Sequence, residues 1–372
     1  MNSINNIDKF GIKKLYRTEI DGREWSSKWG NGHIRSWTDQ TNDPDDTEFV
    51  TQYKGDGSYS TLGDGILSIS PHAGVGTPRM YIMDVEQIKN WHNVEITVYA
   101  QRITDNNVSY AGITAVARTN HYLDTNTCDA RGYAGRFTFD GRIDFNKEIS
   151  HHAPSKGDAQ VATVKYWPTG MPKNVWIGYK YIVYDLPNGD VKLELYMDNT
   201  NGLNGGEWIK ITEFIDTGIN FGVGYTPCKL GIDPALSLTS SDIRLGSETG
   251  RPNLTVYFRS DGIGTNGLLY KKASVREIII DTITVTNPTN ITYKRCEKVY
   301  IKWEFTGNIG SYVKIILLRG NNIIETIKST TPNDGILTWK IQCLPPGVDY
   351  QIKIMSKTND QIFGISDKFT IR

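Results

Sequence analysis

Between Val108 and His152 the chain gathers residues suited to gripping and deprotonating a polar polymer. The run V-S-Y-A-G-I-T-A-V-A-R-T-N-H (108–121) closes on Arg118, Asn120 and His121. The run R-G-Y-A-G-R-F-T-F-D-G-R-I-D-F-N-K-E-I-S-H-H (131–152) carries Tyr133, Lys147, Glu148, His151 and His152. β-Elimination on a uronic-acid polymer needs a cation or amide to neutralise the carboxylate, a base for the C5 proton and an acid for the leaving oxygen. Arg118, Asn120 and Lys147 can neutralise, while His121, His151, His152, Tyr133 and Tyr196 can handle protons. The sharpest assignment sets Arg118 and Asn120 on the carboxylate, His121 or His151 on the proton and Tyr196 at the leaving oxygen. Lys147, Glu148, Tyr133 and Glu194 would line the groove. A solvated outer sheet face explains the same residues without chemistry.

These residues sit on what read as strands. Apolar alternation runs through both segments, and Asp140-Gly141 is a two-residue hairpin signal. If 112–121 is one regular strand, Arg118 and Asn120 share a face and His121 points away, so His121 joins them only at a strand end or bulge. His151 and His152 point opposite ways. W-I-G-Y-K-Y-I-V-Y-D (176–185) and V-K-L-E-L-Y-M-D (191–198) form a second hairpin across Asn188-Gly189. In its second strand Leu193, Leu195 and Met197 face a core, and Lys192, Glu194, Tyr196 and Asp198 face outward.

Short strands, turn signals such as N-D-P-D-D (42–46), and no long helical period predict an all-β chain. With 372 residues it should hold two domains: a polar arm over 1–18, a jelly-roll sandwich over 19–286 and an immunoglobulin- or fibronectin-like sandwich over 287–372. The 20 Tyr and 9 Trp suit sheets, and also stacking on sugar faces. From residue 287 onward 12 basic residues face 7 acidic ones, leaving 29 against 34 before it. No basic stripe marks nucleic acid as a partner, and no run of 18 apolar residues marks a membrane span.

Cys128 and Cys228 fall in the first region, Cys296 and Cys343 in the second, with no C-x-x-C pair. Two intra-domain disulfides follow from that partition and imply an oxidising compartment; four thiols of a cytosolic protein are the other reading. The first residues hold no apolar signal core, so a secreted or surface protein would have lost its signal or use another route. No cofactor is required, although the 42–46 and G-D-G turns supply oxygen ligands that suit structural calcium as well as they suit turns.

Two other functions compete with a lyase. A jelly-roll glycoside hydrolase needs paired carboxylates about 5–9.5 Å apart. Glu194 and Asp198 share a face at roughly 13 Å along one strand, which leaves Glu148 with Glu194 as the remaining pair. A non-catalytic carbohydrate-binding or structural surface protein explains the aromatics and the acidic balance without any reaction.

N-P-T-N, V-Y-I-K-W-E-F, K-I-I-L-L-R, T-P-N-D-G-I-L-T-W-K-I, L-P-P-G-V-D-Y-Q-I-K-I and S-D-K-F-T-I, all within 287–372, resemble the Ser/Thr-rich GPI-anchored cell-wall module known from yeast β-glucan assembly proteins. That resemblance implies attachment to polysaccharide-rich surfaces and no enzymatic activity. Anchoring is not implied, since the sequence ends without a GPI signal. W-H-N-V-E-I-T-V-Y-A (91–100), R-T-N-H (118–121), K-E-I-S-H-H (147–152), W-I-G-Y-K-Y-I-V-Y (176–184) and L-E-L-Y-M-D (193–198) resemble the concanavalin-like jelly rolls of alginate, glucuronan and heparin lyases. The Q-x-H strand of the alginate lyases is absent. The lyase resemblance implies an endo-acting enzyme on a uronic-acid-containing polysaccharide.

Overall fold

The computed structural model describes residues 6–38, 41–47, 49–50, 57–71, 77–84, 91–106, 108, 111–119, 131–148, 159–224, 235–239 and 255–372. The chain is all-β and divides into two compact units, Met1–Ile278 and Ile279–Arg372.

The first unit is a sandwich of the jelly-roll kind. Its strands are β1 (Arg17–Thr18), β2 (Glu24–Ser26), β3 (Arg35–Thr38), β4 (Phe49–Val50), β5 (Gly57–Thr61), β6 (Ile66–Pro71), β7 (Arg79–Asp84), β8 (Val94–Arg102) and β9 (Gly112–Thr119). They continue with β10 (Gly132–Thr138), β11 (Arg142–Glu148), β12 (Ala159–Lys165), β13 (Trp176–Asp185), β14 (Val191–Asp198), β15 (Ile209–Asp216), β16 (Thr255–Arg259) and β17 (Leu268–Ile279). Among the described residues one sheet runs β15-β14-β13-β8-β17-β6-β5-β3, with β1 and β2 also pairing β17, and the other runs β12-β11-β10-β9-β16-β7-β4.

Alternation decides which side chains meet between the sheets. Ile96, Val98, Tyr179, Tyr181, Leu193, Leu195 and Met197 come from the larger sheet; Ile113, Ala115, Tyr133, Phe137, Phe145 and Phe258 come from the smaller. Gly135 is required by this packing, because a Cβ there would lie 2.7 Å from a ring carbon of Tyr181. The Tyr179 hydroxyl donates to the Gly135 carbonyl at 2.7 Å and accepts from the Ala115 amide at 3.2 Å, tying the two sheets together. Asp140-Gly141 turns β10 into β11, with Gly141 at φ +96° and its missing Cβ replaced by the close approach of the Trp167 carbonyl.

The outer face of the larger sheet is charged and largely covered. Glu95, Lys180, Glu194 and Arg276 are all buried there. Residues near the N-terminus lie over them: the Leu15 and Tyr16 amides donate to Glu95 at 3.1 Å, Tyr16 Oη donates to Glu194 at 2.8 Å, and Arg276 donates to the Tyr16 carbonyl at 2.6 Å.

The second unit is a smaller sandwich. Its strands are β18 (Thr282–Asn287), β19 (Thr292–Tyr293), β20 (Lys298–Thr306), β21 (Tyr312–Arg319), β22 (Asn322–Pro332), β23 (Ile336–Lys340), β24 (Gly347–Ser356), β25 (Phe363–Ile365) and β26 (Phe369–Ile371). β18-β20-β23 form one sheet and β19-β26-β24-β21-β22, with β25 on β24, the other. Trp303, Trp339, Ile315, Leu317, Tyr350, Ile352 and Phe369 fill its core. The expected Cys296–Cys343 disulfide is not formed: both are free and exposed. Trp303 and the aliphatic strands supply the burial here, and the thiols stand outside that core. Cys128 and Cys228 lie outside the described residues.

Candidate functional site

The smaller sheet of the first unit turns its second face away from the core, and two register lines cross it. Asp144 (β11), Arg136 (β10), Thr114 (β9), Arg259 (β16) and Arg79 (β7) stand opposite one another in sequence across five strands. The next line is Gln160 (β12), Asn146, Ala134, Val116, Tyr257 and Tyr81. Strands about 4.8 Å apart and a two-residue step of about 6.7 Å fix this grid. Thr114, Ala134, Arg136, Asn146, Gln160, Arg259 and Asp261 line a cleft of about 280 Å³ on it.

Each arginine of the cleft already holds a carboxylate. Arg136 Nε donates to Asp144 Oδ1 at 2.7 Å, and Arg259 Nε to Asp261 Oδ2 at 2.5 Å, with Glu148 4.0 Å from Arg259. Burial works against the Arg259 cation, but Asp261, Tyr257 and Glu148 outweigh it and keep the guanidinium charged. The rings of Tyr81 and Tyr257 stack at 4.6 Å between centroids and are fully buried. Burial, with the Glu148 carboxylate, pushes the Tyr257 hydroxyl up, so it stays protonated. The cleft therefore offers amide, guanidinium, hydroxyl and carboxylate groups for hydrogen bonding.

The residues singled out by sequence divide among three places. Arg118, Tyr133 and Lys147 do come together, but inside the sandwich. Arg118 is fully buried at φ +53°, which turns its side chain out of the alternation of β9. Its guanidinium donates to Asp185, to the Leu238 carbonyl at 2.8 Å and to Asn93 at 3.0 Å. Tyr133 Oη donates to Asp216 Oδ2 at 2.6 Å and accepts from the Leu238 amide at 2.7 Å. Lys147 Nζ reaches the same Asp216 oxygen at 2.8 Å and the carbonyls of Phe221 and Ala235. Asp216 ends β15 of the larger sheet, so these contacts bridge the two sheets. Burial and the Asp216 carboxylate push the Tyr133 hydroxyl well up. All three side chains are buried.

Tyr196 and Glu194 lie on the larger sheet. Tyr196 donates to Glu194 Oε2 at 3.2 Å, beside Lys210, which donates to Glu194 Oε1 at 2.8 Å. Burial and Glu194 push the Tyr196 hydroxyl up. Glu148 stands on the outer face of the other sheet, so it is not the partner of Glu194 that hydrolysis would need, nor is Tyr196 a neighbour of Arg118. Asn120, His121, His151 and His152 lie outside the described residues. In the 42–46 turn Asp43 and Asp45 pair with Arg35, and Asp46 accepts from Trp25 Nε1 at 2.7 Å. Among the described residues no group of three or more His, Cys, Asp or Glu is arranged to hold a metal.

Sequence reasoning missed Arg136, Asn146, Gln160, Arg259 and Asp261. A local signal existed in β10, where Ala134 and Arg136 alternate with Tyr133 and Phe137. The partners of Arg136 on β9 and β16 come from non-local register.

Residues 287–371 match the Kre9/KNH-like N-terminal Ig-like domain. The second unit is thus a β-sandwich similar to that Ig-like domain, in line with the resemblance carried by the strand motifs of 287–372. The match does not extend over the first unit, and no curated protein matches the chain. No helix among the described residues is long and apolar enough to cross a membrane.

Proposed function

We propose that this chain is a non-catalytic polysaccharide-binding protein of a secreted or surface, glucan-related setting. The match of 287–371 to a Kre9/KNH-like domain carries this reading, because that family is associated with the cell wall. The cleft around Arg136 and Arg259 supports it, since its amide, guanidinium, hydroxyl and carboxylate lining suits the hydroxyl groups of a sugar. Lyase and hydrolase activity are the outcomes to be separated from binding. Incubating the full chain with neutral glucans and with uronic-acid polymers, and reading ultraviolet absorbance, new reducing ends and binding together, separates them. Saturable binding with neither product is expected. Absorbing unsaturated ends would mean elimination, and reducing ends alone would mean hydrolysis.

A further inference from the structure

We propose that the cleft of the seven-stranded sheet takes a neutral sugar unit by two adjacent hydroxyls and does not select the carboxylate of a uronic acid. This rests on the polysaccharide-binding reading above. Among the described residues Arg136 Nη2 and Asp261 Oδ1 are buried with no hydrogen-bond partner, and Asp144 Oδ2, on the adjoining strand, is in the same condition. Arg136 is 8% exposed and Asp261 4%, yet both line the cleft. Buried polar atoms are ordinarily paired, and unpaired ones call for an explanation such as a ligand.

The two atoms are the buried, unbonded ends of two oriented ion pairs. Asp144 fixes the Arg136 guanidinium through Nε, and Arg259 fixes the Asp261 carboxylate through Oδ2. What remains is one cationic donor and one anionic acceptor in the same cleft. A hydroxyl both donates and accepts, so adjacent sugar hydroxyls satisfy the two at once, one accepting from Arg136 and the other donating to Asp261. A carboxylate can only accept. It would leave Asp261 Oδ1 unmet and bring a third anion beside Asp144 and Asp261.

Charge points the same way. Along the two register lines and their margin, Arg79, Arg136 and Arg259 stand with Asp144, Glu148 and Asp261, so the lines that hold the cleft carry as many carboxylates as guanidinium groups. The cleft volume of about 280 Å³ falls below the ~300–1,000 Å³ typical of drug-sized ligands and suits a single sugar unit of a longer chain.

The test is calorimetric titration of the full chain with neutral gluco-oligosaccharides (laminarihexaose and cellohexaose) and with hexaguluronate and hexaglucuronate. Binding of a neutral hexamer at least about tenfold tighter than either acidic one is expected, and loss of about tenfold in Asp261→Ala, the scale of one charge-assisted hydrogen bond. Gln160→Ala, an exposed position on β12, serves as the second variant and should weaken neutral binding while leaving the melting temperature unchanged. Acidic hexamers binding as tightly as neutral ones would overturn the hydroxyl-pair assignment while leaving polysaccharide binding intact. So would wild-type affinity in folded Asp261→Ala, while wild-type affinity in Gln160→Ala would overturn the cleft as the place of binding. A folded chain that binds no saccharide would overturn the polysaccharide reading itself.

Discussion

Arg136 on β10 and Arg259 on β16 flank Thr114 on one register line, and each has a carboxylate at hydrogen-bond distance, Asp144 at 2.7 Å and Asp261 at 2.5 Å. With β9 between them, their Cα atoms stand roughly 10 Å apart. The arrangement builds a polar floor from two ion pairs.

Lys147 is assigned to holding the sheets together. Its ammonium meets Asp216 at 2.8 Å with both groups buried. Lys147→Met leaves Asp216 buried without its cation, beside the Tyr133 hydroxyl and the Gly218 amide, and should lower unfolding free energy by about 3–5 kcal/mol. Urea denaturation checks this. Wild-type stability in the variant would return Lys147 to the list of groove residues.

Gly135 tests the fit between the sheets. Gly135→Ala drives a methyl group to 2.7 Å from the Tyr181 ring and 3.0 Å from Leu195, and overpacking of this kind costs about 1–3 kcal/mol. A thermal melt equal to that of the wild type would show that the sheets are not packed this closely.

Acid should weaken the first unit through Glu95. Burial alone would raise its carboxyl, but Lys180 and Arg276 outweigh burial and hold it below the ordinary range. The pKa is depressed in the folded state, so the stability it contributes is fully present above the unfolded value of about 4.3 and is lost as pH falls through the folded value. Chemical denaturation from pH 6 downward should show a steep loss below about pH 4. Glu95→Gln should be less stable at pH 6 and flatter below it. A Glu95→Gln curve parallel to wild type would contradict the linkage.

Cys296 and Cys343 should both react with a maleimide in the native protein, because both thiols are free and exposed. No label at either position until reductant is added, and label at both afterwards, would instead reveal a bridge.

Much of the fold is legible in local pattern. The alternation of V-K-L-E-L-Y-M-D puts Leu193, Leu195 and Met197 in the core, as their burial shows, and the strand motifs after residue 287 identify the second unit. The site was harder to read. At Arg118 one positive φ redirected a side chain that parity had placed on a groove face. Tyr133 and Lys147 lie on the inner face because they alternate with Ala134 and Asn146, and nothing in their own segment announces that Asp216 waits across the sandwich. The cleft needs the register of β9 against both β10 and β16, strands distant in sequence, and local periodicity carries no such information.

The proposed function requires that the chain bind polysaccharide without cleaving it. Co-sedimentation of the full chain with insoluble β-glucan, with ultraviolet absorbance and reducing ends followed in the supernatant, tests it most directly. The account predicts saturable depletion of protein from solution with both product signals at baseline. Turnover signals that grow with time, or protein that stays in solution at every glucan concentration, would contradict it.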